Sequence, residues 1–375
     1  MITNKYTVLH TEWSDGWGGQ EKRILSEMAG MQARGHTILL ATRAHATIAE
    51  KAREAGIPVH ILPFRNNLDV YTIYKLYQLI AQYQVQIVAT HSGKDNWCGG
   101  LAAKLAGVKL VRTRHLAAPL KRNWRHFIHY LADRIVTCGE RVREMLIQQY
   151  RFPATQLVSI PTGIDFTHFV STDTRDNLRL KWQIGADEWI IVMVGVIRSV
   201  KRHEIALRAF AKVAQVWPKA RLFLLGDGPL RQNMEALAQA LNLQAHVQFF
   251  GHREDIPDFL ALADCALLTS RSEGLPQALS QASGMGLPIV ATNVGSVSEV
   301  VLEGQTGLLS KAEDIEAIAA NILRLAKNPG WANEMGLQGK SHVLAHLSLH
   351  TMLDKTEQLY NSLAIYPGPA KQTEQ

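Results

Sequence analysis

The stretch Val192–Phe210, VMVGVIRSVKRHEIALRAF, reads as one complete βα unit. An apolar strand stops at Gly195, a basic loop follows, and an amphipathic helix takes over. Ligands of open α/β sheets bind beyond the carboxyl ends of the strands, and Arg198 and Lys201 stand there, near the start of the helix. Two cations in that place suit a diphosphate. A solvent-exposed basic turn is the alternative reading.

The same alternation runs along the chain. Strand-like runs at Tyr6–His10, Thr37–Ala41, Val59–Leu62, Gln86–Thr90, Lys109–Thr113 and Arg134–Thr137 are separated by helical patterns such as Gln20–Arg34 and Tyr71–Gln82. A second series follows at Ile190–Val194, Arg221–Leu225, Val247–Phe250, Ala266–Leu268 and Ile289–Ala291. Strands alternating with helices imply parallel sheets covered on both faces. The expected architecture is α/β, with two Rossmann-like doubly wound domains facing a cleft. Polar residues replace the apolar periodicity between Asp165 and Asn177, and the domains are placed at 1–168 and 169–365, with a disordered polar tail at 366–375.

Two further stretches carry chemistry. Ser270–Thr292, SRSEGLPQALSQASGMGLPIVAT, combines a Glu273-Gly274 turn, a helix-like run Pro276–Ser283, a glycine break and a short strand Leu287–Ala291. A carboxylate on a glycine turn at a helix N-terminus accepts from ligand hydroxyls, while the backbone N–H groups there attract anions. The loop SDGWGGQ, residues 14–20, follows the first strand and opens a helix, so its glycines admit a phosphate. It is not a dinucleotide fingerprint, because Gly16 and Gly18 are followed by Glu21 and the second strand ends in Thr42-Arg43.

Composition narrows the class. With 375 residues, 47% of them hydrophobic, the chain has the makings of a large core. Cys98, Cys138 and Cys265 are far apart and in no metal-ligand spacing, so buried reduced thiols are expected, with no metal and no disulfide. The longest apolar run, Trp189–Ile197, is too short to span a bilayer, and a cytoplasmic protein is expected. The net charge of +7 is concentrated between Lys104 and Arg151, where eleven Lys or Arg face three Asp or Glu. Within it, Lys121, Arg122 and Arg125 interleave with Trp124, Phe127 and Tyr130, a composition suited to an anionic membrane surface. A solvated face on a core-packed helix is the alternative, and no nucleic-acid-binding motif accompanies the charge.

Ser270–Thr292 resembles the signature of the retaining, nucleotide-sugar-dependent glycosyltransferases of family 4, which has Glu at its start and Glu again eight residues later. Glu273 and Gln281 stand in those places. Lys201 stands where the family's G-R-x-x-x-x-K pattern has its Lys, with Val196 in place of the Arg. IPTGIDFTHF is similar to the family's I-P-N-G-V-D-x-x-x-F hinge, LLGDGPLRQNM to its G-x-G-P turn, and VRTRHLAAP to its strand-end histidine.

The resemblance implies a GT-B-type enzyme that takes a nucleoside-diphosphate sugar, UDP favoured, as donor and needs no cofactor. The sugar would lie on Glu273, Gly274, Leu275 and Pro276, and the ribose on Gln281. Lys201 and Arg198 would meet the diphosphate, supported by Gly18 and Gly19, and the backbone at Gly251 and His252 would read the base. His115 would sit by the transferred sugar. His91, Lys94 and Asp95, at another strand end, are placed to face an acceptor, with Asp95 as a plain helix cap the alternative. HTEWSDGWGGQEKRIL, THSGKDNW and RTRHL resemble members that assemble lipopolysaccharide, so a lipopolysaccharide core or other cell-surface glycan is the expected acceptor. The implied last helix returns to the first domain. A catalytically silent nucleotide-sugar-binding subunit and a nucleotide-sugar 2-epimerase are the alternative readings. No two aspartates are spaced D-x-D, which argues against the metal-dependent single-domain glycosyltransferases.

Overall fold

A computed structural model describes residues 4–115 and 124–363. The chain divides into two compact units, Met1–Gly163 with Leu349–Gln375, and Ile164–Ser348. The border therefore falls five residues before the one placed at 168/169, and the chain returns to the first unit from Leu349 onward.

The first unit begins β1 (Thr7–Glu12), α1 (Gly19–Ala33), β2 (Thr37–Thr42), α2 (Thr47–Glu54), β3 (Val59–Ile61) and α3 (Val70–Gln82). It continues β4 (Ile87–Thr90), α4 (Lys94–Ala106), β5 (Lys109–Arg114), β6 (Arg134–Thr137), α5 (Glu140–Tyr150) and β7 (Leu157–Ser159). Among the described residues these strands form a parallel sheet in the order β3-β2-β1-β4-β5-β6-β7. The order reverses beside β1, so the ends of β1 and β4 flank the switch point where such sheets leave a crevice. Both faces are covered. Val8, Ile38, Leu40 and Ile87 pack on one side with Ile24 and Met28 of α1. Leu9, Leu39 and Val88 pack on the other with Leu76 of α3 and Cys98 of α4.

The second unit holds α6 (Arg175–Lys181), β8 (Trp189–Val194), α7 (His203–Val216), β9 (Ala220–Leu225), α8 (Arg231–Ala240), β10 (Val247–Gly251) and α9 (Ile256–Leu262). Then come β11 (Cys265–Leu268), α10 (Gln277–Gly284), β12 (Ile289–Thr292), α11 (Val297–Val300), β13 (Gly307–Ser310), α12 (Ile315–Lys327) and α13 (Pro329–His346). Its described strands are also all parallel, in the order β10-β9-β8-β11-β12-β13. Here the switch point lies beside β8, the strand that carries the basic loop. Phe210 and Val213 of α7 and Ile322 and Leu325 of α12 close over Ile191, Met193 and Leu224 of the sheet.

α14 (Leu349–Ser362) packs on α1 of the first unit. Leu353 lies so close to Gly30 that a Cβ there would stand 2.4 Å from Leu353 Cδ1. Arg34 pairs with Asp354 at 2.7 Å and Glu357 at 3.1 Å, and Tyr6 Oη donates to Asn361 Oδ1 at 2.8 Å. The buried Tyr360 completes the contact.

Candidate active site

In the second unit the strand-end loop after β8 is built for close approach. Gly226 follows β9, and a Cβ there would stand 2.1 Å from the carbonyl oxygen of Gly195; at Gly228 it would stand 2.4 Å from that of Ile197. Glycine is what lets these loops cross. Beyond Ile197 the chain makes a single 3₁₀ turn, Ser199–Lys201, before α7. That turn points Lys201 toward the loop after β11, where Lys201 Nζ donates to Glu273 Oε1 at 2.7 Å.

The Glu273 loop is held from several sides. Ser270 Oγ donates to Glu273 Oε1 at 2.5 Å, Thr269 Oγ1 donates to the Arg202 carbonyl at 2.9 Å, and Arg271 N donates to the Val200 carbonyl at 2.8 Å. Thr292 Oγ1 donates to the Ser270 carbonyl at 2.6 Å, and Ser296 N to the Gly274 carbonyl at 3.1 Å. The Lys201 and Glu273 side chains are 15% and 11% exposed, enough to reach a ligand yet dry enough for their charges to matter. α10 starts at Gln277 with Pro276 as its cap residue, which makes no side-chain cap bond. Its first turn therefore lies four residues beyond Glu273 and carries no acidic side chain of its own. His203, the first residue of α7, is buried, and that burial, with the Lys201 charge second, lowers its pKa to about 4. It adds no charge beside Lys201 at neutral pH.

In the first unit the strand ends gather histidines and carboxyls. His10 Nδ1 lies 3.0 Å from His91 Nε2, and His91 Nδ1 lies 3.2 Å from His115 Nε2. Burial lowers His10 to about 3 and holds His91 and His115 well below the ordinary histidine range, so the three rings are neutral. Asp95, in the first turn of α4, is fully buried and accepts from the backbone N–H of His91 at 2.7 Å and of Ser92 at 3.0 Å. Lys94 Nζ donates to the Arg65 carbonyl at 3.1 Å and stands 4.5 Å from the Trp13 ring centroid. At the end of β1, Glu12 accepts from Trp13 N and Ser14 N, both at 2.8 Å, and from Gln20 Nε2 at 2.6 Å. Among the described residues no group of His, Cys, Asp and Glu side chains is arranged to hold a metal ion.

Sequence comparison gives these two strand-end sites a family. The glycosyl transferases group 1 model matches residues 174–342, and the Glycosyltransferase Family 4 model matches residues 17–168. The chain belongs to the family 4 glycosyltransferases. EpsD of Bacillus subtilis, a putative glycosyltransferase, is 27% identical over 79% of this chain and 82% of its own length. An Escherichia coli UDP-Gal:alpha-D-GlcNAc-diphosphoundecaprenol alpha-1,3-galactosyltransferase is 24% identical over 79% of this chain and 80% of its own. The structure of Anabaena HepE in complex with UDP shares the GT-B fold, with a TM-score of 0.86 at 19% identity, covering 95% of this chain and 100% of that one.

In this glycosyltransferase the fold brings Lys201 and Glu273 into contact and leaves Arg198 exposed on the same loop. Gly274, Leu275 and Pro276 are buried behind Glu273, and Gln281 is half-buried on α10. Gly251, at a φ of 69°, ends β10 and accepts from Gly226 N at 2.7 Å, while His252 is exposed. In the other unit His91 links His10 to His115, whereas Asp95 turns inward and Lys94 lies along Trp13. Gly18 and Gly19 open α1, with Glu21 Oε2 accepting from Gly18 N at 2.9 Å. Lys121 and Arg122 lie outside the described residues, as do the side chain of Arg125 and the tail 366–375. Among the described residues no helix is long and apolar enough to cross a membrane. A cavity of about 650 Å³ opens beside Trp189, at the start of β8, and touches none of the site residues.

Sequence reasoning passed over Glu12, Ser92, Ser270 and Gly295. A carboxylate directly before a glycine-rich loop was a usable signal for Glu12; the others have no signature of their own. Burial and the Asp95 charge push the Glu12 carboxyl from 4.5 up to about 7. The folded chain thus binds this proton more tightly than the unfolded chain. Glu12's contribution to stability is full below pH 4.5 and is lost as the pH rises through about 7. Thermal scans from pH 4.5 to 8 are expected to show a smaller fall in Tm for Glu12→Gln than for the native enzyme. Parallel curves would contradict the assignment.

Proposed function

We propose that the enzyme transfers a sugar, with retention of configuration, from a nucleoside-diphosphate sugar to a cell-surface glycan or its lipid-linked precursor, lipopolysaccharide core being the leading acceptor class. The Lys201–Glu273 contact beside the α10 N-terminus carries this reading, since it sets a cation and a hydroxyl-accepting carboxylate 2.7 Å apart. On this reading Glu273 accepts from sugar hydroxyls, and Lys201, assisted by Arg198, neutralises the departing diphosphate. The bond from the anomeric carbon to the phosphate oxygen breaks as a bond to the acceptor oxygen forms on the same face. The acceptor's proton passes to the leaving phosphate, so no enzymatic nucleophile is required. His115, neutral through burial, orients the reacting groups. UDP as the donor nucleotide is supported by the naming of the Escherichia coli relative and by the UDP complex of HepE. The lipid-linked substrate in the relative's name supports the acceptor class and work at a membrane surface, which we take to be the cytoplasmic face.

A panel of nucleotide sugars screened by thermal shift is expected to single out one donor, because a ligand that binds only the folded state raises Tm. Nuclear magnetic resonance of the product then reads the anomeric configuration. Inversion, or no stabilisation by any nucleotide sugar, would refute the reading.

Gln281 stands where the family's ribose-binding Glu does. A carboxylate accepts from both ribose hydroxyls with charge assistance, whereas an amide has one acceptor oxygen. Gln281→Glu is expected to tighten donor binding by about 1 kcal/mol, measured by calorimetric titration. Abolished binding would show that Gln281 serves a role other than holding the ribose.

A further inference from the structure

The loop between β1 and α1 has no regular structure from Trp13 to Trp17, yet one side chain gathers its start and its exit. Glu12 Oε1 accepts from the backbone N–H of Trp13 and of Ser14, and Oε2 accepts from Gln20 on the first turn of α1. Glu12 is fully buried at the end of β1, so these bonds form out of contact with water. A second tie, the ion pair of Asp15 with Arg43 at 2.9 Å, is partly exposed and correspondingly weak.

Ser92 adds a constraint that follows from counting protons. Its Oγ lies 2.5 Å from Glu12 Oε1 and 2.9 Å from Asp95 Oδ1. A hydroxyl has one hydrogen to donate, so both contacts are satisfied only when one carboxyl is protonated and donates in turn. Burial raises the Asp95 carboxyl too, and both carboxyls accept backbone N–H groups, but the charge of Arg112 on β5 favours the ionised form of Asp95 and makes it the better-supported anion. The charge acting most on Glu12 is that of Asp95, which favours the protonated form. His91, neutral, offers Asp95 its backbone N–H. The exchangeable proton therefore belongs to Glu12. Protonated, Glu12 donates to Ser92 Oγ, which turns its own hydrogen to Asp95. Oε1 is then a hydroxyl oxygen, a poor acceptor for Trp13 N–H and Ser14 N–H.

We propose that Glu12 positions the glycine-rich loop of the first unit, holding it when ionised and loosening it when it takes up a proton. This deepens the reading in which Gly18 and Gly19 support the donor diphosphate, and it rests on that reading for its effect on turnover.

Amide hydrogen exchange of residues 13–19, corrected for intrinsic rates and followed from pH 6 to pH 8, tests the positioning without any ligand. In the native enzyme protection of Trp13 and Ser14 is expected to rise about tenfold across neutral pH. Glu12→Gln is expected to abolish the step and leave protection at its low-pH level. Ser92→Ala keeps both carboxyls but removes the hydroxyl that bridges them, so its step is expected at a different pH. A flat native profile, or a step that survives in Glu12→Gln, overturns the proposal; if that variant does not fold, an unshifted step in Ser92→Ala does so. Kinetics with UDP-glucose, or whichever sugar nucleotide the thermal-shift panel selects, is a separate arm. A raised donor KM at little-changed kcat in Glu12→Gln connects the loop to the donor. An exchange step without any KM change leaves Glu12's positioning role standing and sinks the donor role of the loop.

Discussion

Lys201→Ala is expected to lower turnover by about a hundredfold or more while changing the affinity for free nucleotide far less. Charge on the leaving diphosphate grows on the way to the transition state, so a cation at that point stabilises the transition state more than the bound donor. The geometry favours such a split. Lys201 lies against Gly195, with Nζ 4.0 Å from where a Cβ there would stand, and its ammonium is fixed by Glu273 rather than free to wander. Pre-organisation of this kind is what makes an electrostatic contribution large. Removal also leaves the mostly buried Glu273 carboxylate with Ser270 but without its cation. Steady-state rates at saturating donor, set beside calorimetric binding of UDP, separate the two effects. Native turnover in a folded Lys201→Ala variant would take Lys201 out of the reaction.

Gly295→Ala is expected to cost about 2–5 kcal/mol of stability and most of the activity, although no reacting group is touched. Two effects add. Gly295 has a φ of +53°, a left-handed conformation that disfavours a Cβ, and that Cβ would stand 1.8 Å from the carbonyl oxygen of Glu273 and 2.8 Å from its carbonyl carbon. A side chain could swing aside, but backbone cannot without moving the loop that presents Glu273 to Lys201. The displaced loop would also lose the Ser296 N–H bond to the Gly274 carbonyl. Urea unfolding and donor kinetics of the variant are the measurements. A native midpoint with native turnover would show that the loop tolerates displacement and that its tight seating has no catalytic consequence.

Much of the fold was legible because parallel strands buried on both faces leave near-continuous apolar runs in the sequence. β8, with its WIIVMV core, and the helix after it are the plainest case. β7 and β13 escaped notice: LVS and GLLS, at the edges of the two sheets, are too short to display a period. The strand read at Leu287–Ala291 begins at Ile289, since Pro288 precedes it and has no N–H to give to a ladder. Residues bearing recognisable chemistry were also legible one by one, Lys201 after its glycine and Glu273 before its own.

From the sequence alone came the α/β class, the two series of βα units and the residue types at their strand ends, because each is encoded within about ten or twenty neighbouring residues by periodicity, turn chemistry and charge. The tertiary structure decided what those residues meet. Lys201 reaches Glu273 because β8 and β11 are adjacent at the switch point of their sheet, and α14 belongs with α1 because Leu353 fits over Gly30. Glu12 became a loop anchor with an elevated pKa only through burial beside Ser92 and Asp95, some eighty residues farther along the chain. Strand order and burial are global properties: they follow from how all the apolar surfaces are satisfied together, so no local pattern carries them.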